Sequence, residues 1–192
     1  ITDELNKMIL AAEPSLGFKL LHKTDLLKEF FPELEAMHGV AYVDGRGHKD
    51  NFYHTLKVLD NVSRESDNLW LRWVAILHDI AKPLTRRYDP EQGWTFHGHE
   101  DKGARMVPKI FRRLRLPTNE KMRYVKKLVR LHQRPIALVN EEVSDSAIRR
   151  LIFEAGEDLD DLLLFCRADI TSKNPNKVRR FLRNYDLLAE RI

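Results

Sequence analysis

Six side chains in this sequence carry ligand chemistry that is out of keeping with their surroundings: His54, His78, Asp79, His99, His132 and Asp169. Each stands on or beside a segment whose other inward positions are apolar. The stretch WVAILHDIAKP, Trp73 to Pro83, is the clearest case, placing the adjacent pair His78-Asp79 and then Lys82 at the edge of a hydrophobic run. Burying an ionisable group without a partner is expensive, and Asp169, in register with Leu162, Leu163 and Cys166, would be costly unless a cation or donors meet it. A lone histidine on an apolar face is most often a hydrogen-bonded core residue. Several such defects aimed at one core are jointly explained by a metal held between helices, where imidazoles and carboxylates are the usual ligands. A set made only of His and Asp suits iron, manganese, nickel, zinc or magnesium; thiolate-demanding metals are disfavoured because Cys166 is the sole cysteine.

The elements that must position these residues read as helices. Residues 1–12 form a short helix with Leu5, Met8, Ile9 and Ala12 inward. A second is expected over Leu16 to Phe30, with Leu20, Leu21, Leu27 and Phe30 inward, ending before Pro32. The glycine-bearing segment MHGVAYVDGRGHKD reads as a loop that divides an N-terminal helical element, 1–38, from the main body, 39–192. Asp50 caps a helix running to about Ser63, with His54, Val58 and Asn61 on one face. The next is expected from Asn68 to Lys82, stopped by Pro83. TRRYDPEQGWTF carries a turn signal between β-prone flanks, which predicts a small hairpin or irregular loop. Further helices are expected over His99 to Leu114, kinked at Pro108, over Asn119 to Arg134, from Ser144 to Gly156, through Leu159, Leu162, Leu163, Cys166 and Asp169, and over Asn176 to Arg191. The fold class is all-α.

The chain has 192 residues, 43% hydrophobic and 32% charged, which suits one soluble domain with a small appended element. It has no run of about 18 apolar residues, so no membrane span is expected. The polar, acidic opening ITDELNK is unlike a secretory signal, which points to the cytoplasm. The absence of an initiator methionine suggests a piece of a longer chain. Net charge is +4 and the pI about 9.2, with basic residues clustered in KIFRRLRL, MRYVKKLVRLHQR and KVRRFLR. The clusters suit a polyanion such as RNA. Taken singly, each also fits the solvated face of an amphipathic helix.

The order His54, His78-Asp79, His99, His132, Asp169 resembles the H…HD…H…H…D signature of the HD-domain superfamily. That resemblance implies an all-helical, metal-dependent phosphohydrolase fold in which His54, His78, Asp79 and Asp169 bind the first metal, and His99 and His132 bind a second metal or the substrate phosphate. His97 competes with His99 for the third histidine; GHE at a helix start favours His99. The segments FPELEAMHGV, GRGHKDNFYHTL, LHDIAKPLTR, GWTFHGHEDKGARM and FRRLRLP, with ELNKMILAAEPSLGFKLL upstream, are similar to the HD-containing half of bacterial tRNA nucleotidyltransferase and poly(A) polymerase-like proteins. Ala81 stands where that family commonly has glycine. The catalytic head of those proteins, with its Gly-Ser and Asp-x-Asp, has no counterpart here; DLDD at 158–161 lacks the glycine-rich approach and reads as surface charge.

From these residues the expected activity is metal-dependent phosphoester hydrolysis, on nucleotides or RNA ends, tRNA among them. Such a metal lowers the pKa of a bound water and polarises a phosphoryl oxygen. Asp79 would both ligate and orient, and Lys82 and Arg86 would meet phosphate charge, unless they are simply solvated residues at a helix end. A competing expectation is an RNA-binding body whose metal is structural or vestigial. A third is a free-standing nucleotidase.

Overall fold

The computed structural model describes residues 1–139, 144–172 and 174–192. Five helix starts are set by a polar side chain that accepts from the first free amides: Asp50 from Tyr53, Asn68 from Trp70 and Leu71, Asn119 from Lys121, Ser144 from Ala147, and Asn174 from Asn176 and Lys177. Each such cap stabilises its helix by about 1 kcal/mol. In chain order the elements are α1 (Thr2–Ile9), α2 (Pro14–Lys23), α3 (Leu27–Phe30), α4 (Pro32–Glu35), the paired β1 (Tyr42–Val43) and β2 (Arg46–Gly47), α5 (Asn51–Glu65), α6 (Leu69–Leu77) and α7 (Lys82–Thr85). The antiparallel hairpin β3 (Arg87–Asp89) and β4 (Gly93–Thr95) follows, and then α8 (His99–Arg113), α9 (Glu120–Leu131), α10 (Gln133–Val139), α11 (Asp145–Ala155), a 3-10 turn (Gly156–Asp158), α12 (Leu159–Asp169) and α13 (Pro175–Ala189). The all-α reading and the small hairpin are both borne out.

Three expected helices are divided. The one over Leu16 to Phe30 breaks at Asp25, which takes the left-handed conformation at φ 61°, tolerable for a short polar side chain. Phe18 is buried there, and Leu20 is exposed. The helix expected to run to Lys82 stops at Leu77, and Pro83 sits in the first turn of α7 rather than ending anything. The helix expected to reach Arg134 stops at Leu131, and Pro135 lies inside α10. The last two breaks share a cause. Proline cannot donate to the carbonyl four residues back, and its ring crowds it; those carbonyls belong to Asp79 and Leu131. Asp79 O instead accepts from the Lys82 amide at 2.9 Å. His78 and His132 therefore end their helices instead of lying within them. α8 continues through Pro108.

α6 is the central element. Every residue from Leu71 to Leu77 is buried, as expected for a helix that is apolar nearly all round. It packs against α5, α9, α12 and α1. The exception in that run is Arg72, 2% exposed. Its guanidinium donates to the carbonyls of Ile9, Ala11, Ser63 and Ser66 and pairs with Asp67 at 3.0 Å. Trp73 Nε1 donates to Asn6 Oδ1. These contacts fix α1 against α5 and α6 within one apolar cluster that extends from Leu5 and Phe18 to Cys166 and Tyr185.

Candidate metal centre

The ends of these helices meet at one place. His54 comes from the first turn of α5, His78 and His132 end α6 and α9, His99 begins α8 and Asp169 ends α12. Three of the imidazoles are fixed in the same way: Nδ1–H of His78 donates to Ala75 O at 2.8 Å, that of His99 to Phe96 O at 2.8 Å, and that of His132 to Val129 O at 2.7 Å. His54 Nδ1 lies 3.0 Å from Thr171 Oγ1. In the three rings that donate to a carbonyl the free lone pair is on Nε2; at His54 the Thr171 hydroxyl can donate or accept, and Nε2 is free for a metal when the hydroxyl accepts. All four Nε2 atoms face the two carboxylates.

His54 Nε2 is 3.0 Å from Asp169 Oδ1 and 3.6 Å from Asp79 Oδ2. His78 Nε2 is 3.3 Å from Asp79 Oδ2 and 3.6 Å from Asp169 Oδ1. On the other side of Asp79, Oδ1 lies 3.2 Å from His99 Nε2 and 3.9 Å from His132 Nε2. Two groups of possible ligands result, His54–His78–Asp79 and Asp79–His99–His132, with the ligand atoms of each within 4.8 Å of one another. Atoms bound to a common ion at about 2.1 Å are about 3.0–3.4 Å apart; the spacings of 3.0, 3.3 and 3.2 Å fit that range, and those of 3.6 to 3.9 Å exceed it by a few tenths of an ångström.

Two buried atoms carry the test of that fit. His78 Nε2 and Asp169 Oδ1 have no hydrogen-bond partner, an expensive condition that a cation relieves. The facing Nε2 atoms of His99 and His132 stand 3.3 Å apart, and their lone pairs oppose each other unless a proton or a metal lies between them. Burial pushes the His132 imidazole down to about 3, so it is neutral and available as a ligand. Burial also lowers His54, against the pull of Asp169 and Asp79. At His78 burial again opposes the charge, but Asp79 and Asp169 outweigh it and raise the ring above its ordinary value. Burial would raise both carboxyls. The charges of His78 and Lys82 nevertheless hold Asp79 well below its usual range, and His78 and His54 bring Asp169 to about 2. The residues present could hold a divalent metal.

A family model described as the HD domain matches residues 51–172. The chain belongs to the HD-domain family. A second family model, described as the probable RNA- and SrmB-binding site of polymerase A, matches residues 1–37. The HD chain is similar to an A-adding tRNA nucleotidyltransferase of Deinococcus radiodurans, 32% identical over 198 residues that cover 100% of this chain and 44% of that protein. It is 33% identical to a CC-adding tRNA nucleotidyltransferase of Thermus thermophilus, with 88% of this chain and 38% of that protein covered. A multifunctional CCA protein of Shewanella frigidimarina is 31% identical, with 90% and 42% covered. The chain thus spans less than half the length of these relatives, and the expected likeness to the HD-containing part of tRNA nucleotidyltransferase-like proteins is borne out.

At the HD site the structure brings together His54, His78, Asp79, His99, His132 and Asp169. His97 is exposed on the surface, while His99 is buried. Lys82 is also present: its Nζ donates to Asp79 Oδ2 at 2.7 Å and lies over the Phe96 ring. Arg86 is not brought in. It is exposed, against His48 and the Trp94 ring. Three neighbours have roles that the sequence reading did not assign. Thr171 orients His54 and accepts from Lys49 Nζ at 2.7 Å. Gln133 Nε2 lies 3.3 Å from His99 Nε2. Asn61 Nδ2 donates at 2.9 Å to Ala168 O, steadying the end of α12 that bears Asp169. Adjacency to a ligand, two residues for Thr171 and one for Gln133, was the only signal available for either.

Proposed function

We propose that this HD domain is a divalent-metal-dependent phosphohydrolase acting on phosphoesters of nucleotides or RNA ends, as part of a cytoplasmic tRNA-processing protein. The observation that carries the reading is the pair of ligand groups sharing Asp79, with His78 Nε2 and Asp169 Oδ1 buried and unpartnered. His54, His78, Asp79 and Asp169 would hold one ion, and His99 and His132 would hold a second ion or the substrate phosphate. A metal there supplies Lewis-acid polarisation of a phosphoryl oxygen and lowers the pKa of bound water. Asp79 serves both halves of the site, Oδ2 toward His54 and His78 and Oδ1 toward His99. Lys82 is one proton-rich neighbour of that carboxylate, and on substrate entry its ammonium can turn from Asp79 to a phosphoryl oxygen, a charge clamp of the kind phosphoryl transfer uses. An open pocket of about 270 Å³, bordered by Lys82, Phe96, His97, His99 and Gln133, provides the approach. Residues 1–38 would be the element that joins the HD domain to the rest of a longer protein.

A second reading, an RNA-binding body with a structural or vestigial metal, is supported by the match over residues 1–37 and by the basic helices. The Asp79→Ala variant separates the two readings. Loss of bound metal together with loss of 2′,3′-cyclic nucleotide hydrolysis supports the phosphohydrolase; undiminished turnover refutes it. Steeply salt-dependent RNA binding, with no hydrolysis under any of the candidate metals, favours the second reading.

A further inference from the structure

Away from the metal ligands, a groove of about 430 Å³ between α9 and α11 is lined by Arg123, Lys126, Lys127, Arg130 and Arg134 against a single carboxylate, Glu154. At about 100° per residue, the four cations on α9 fall within an arc of about 100° and extend about 10 Å along the helix axis. They form one ridge. Beyond Glu120, α9 contains no acidic residue of its own; the acids near the ridge come from other elements, and Arg123 and Lys127 also border a neighbouring pocket with Glu157, Asp158 and Asp161. Like charges one turn apart, as at Arg123 and Lys127 or Lys126 and Arg130, also disfavour the helix slightly.

Local acids neutralise this ridge only in part. Lys127 pairs with Asp158, Arg130 meets Asp101 at 3.1 Å, and Arg134 approaches Glu154 only to 3.8 Å. Arg123 and Lys126 have no acidic partner among the described residues. The C-terminal end of the ridge adjoins the HD site at the surface: Arg130 and Arg134 flank the exposed Gln133, while His132, about 200° round α9 from Arg130, points inward. α9 ends at His132, and the next residue, Gln133, touches His99 and borders the pocket beside Lys82.

We propose that the α9 ridge is a docking track for single-stranded RNA, holding successive phosphates so that the terminal phosphoester reaches the HD site. This rests on the phosphoester reading of that site. Cations about one helical turn apart, about 5 Å, match a flexible backbone bearing one charge per residue. Among the described residues Leu131 is the only apolar one lining the groove, which leaves little apolar surface for a protein partner to bury.

The test is anisotropy of a fluorescein-labelled oligo(A) RNA with the full protein, titrated over a series of salt concentrations. Arg123→Ala/Lys126→Ala should weaken binding about tenfold near physiological salt and reduce the slope of log affinity against log salt by about 1.4, the share of two single-strand phosphate contacts. Arg123→Lys/Lys126→Arg should keep both, since a phosphate needs only the charge. A control pair on α13, Lys177→Ala/Arg183→Ala, should change neither. An unchanged slope in the α9 double alanine variant overturns the track, and so does an equal loss in the α13 control, which would mean net charge alone is at work. Metal content and hydrolysis of a 2′,3′-cyclic mononucleotide, too small to span the ridge, should be the same in the α9 variant and the unsubstituted protein. Slopes as expected with no hydrolysis by either protein would uphold the track and refute the hydrolase reading alone.

Discussion

Replacing Thr171 with valine removes one hydroxyl from the HD site and almost no volume. That oxygen lies 3.0 Å from His54 Nδ1 and 2.7 Å from Lys49 Nζ. Lys49 is exposed and recovers its hydrogen bond from water. His54 is only 8% exposed and cannot, so its Nδ1–H loses its acceptor, at a cost of about 1–3 kcal/mol. Without metal the ring can rotate and recover part of that loss; with metal it cannot, because Nε2 must stay beside Asp79 and Asp169. The cost therefore appears as weakened metal binding. It converts to roughly 5- to 150-fold, bracketing the 10- to 100-fold usual when a residue that orients a metal-bound histidine is lost. Competition against a chromophoric chelator measures it directly. Thr171→Ser, which keeps the oxygen, should bind metal nearly as the unsubstituted protein does. Affinity of Thr171→Val within about twofold of the unsubstituted protein, or a serine variant as weak as the valine one, would refute the argument.

Arg72→Met fills the arginine stem's space but leaves the carbonyls of Ile9, Ala11, Ser63 and Ser66 without their donor. Urea unfolding should show a loss of about 3–5 kcal/mol with early release of α1, and a loss under about 1 kcal/mol would mean the guanidinium is dispensable. In metal-free protein the His132 ring should stay neutral down to about pH 3, because burial penalises its charge. Its folded pKa lies below the ordinary 6.5, so its contribution to stability is complete above that pH and is lost as pH falls toward 3. Nitrogen chemical shifts of the ring report this, and titration near 6.5 would contradict the burial argument.

Much of this architecture is legible in local residue patterns. Asp50, Asn68, Asn119, Ser144 and Asn174 occupy helix-cap positions in the structure, and all but Asn174 were read as or beside helix starts, because capping is chemistry between residues two or three apart. The six candidate ligands were legible because charge is costly at the edge of an apolar face, and their order carried the family resemblance. Where helices break was less legible. Pro83 was read as a stop, and the helix before Pro135 was expected to reach Arg134, yet each proline acts through the carbonyl four residues before it, and it is this that leaves His78 and His132 at helix ends with Nδ1 folded onto a backbone carbonyl.

Sequence alone determined which side chains are available for a metal and which helices carry them. Only the tertiary structure decided how they are used. That Asp79 divides its two oxygens between two groups of ligands, that Thr171 rather than another residue holds His54 across 117 positions of chain, and that Arg86 turns to His48 instead of the site are set by how separate helices cross. No pattern within a single helix encodes those directions. A lone pair a few tenths of an ångström or a few tens of degrees out of place no longer ligates, and that precision arises when α6, α9 and α12 pack around one core.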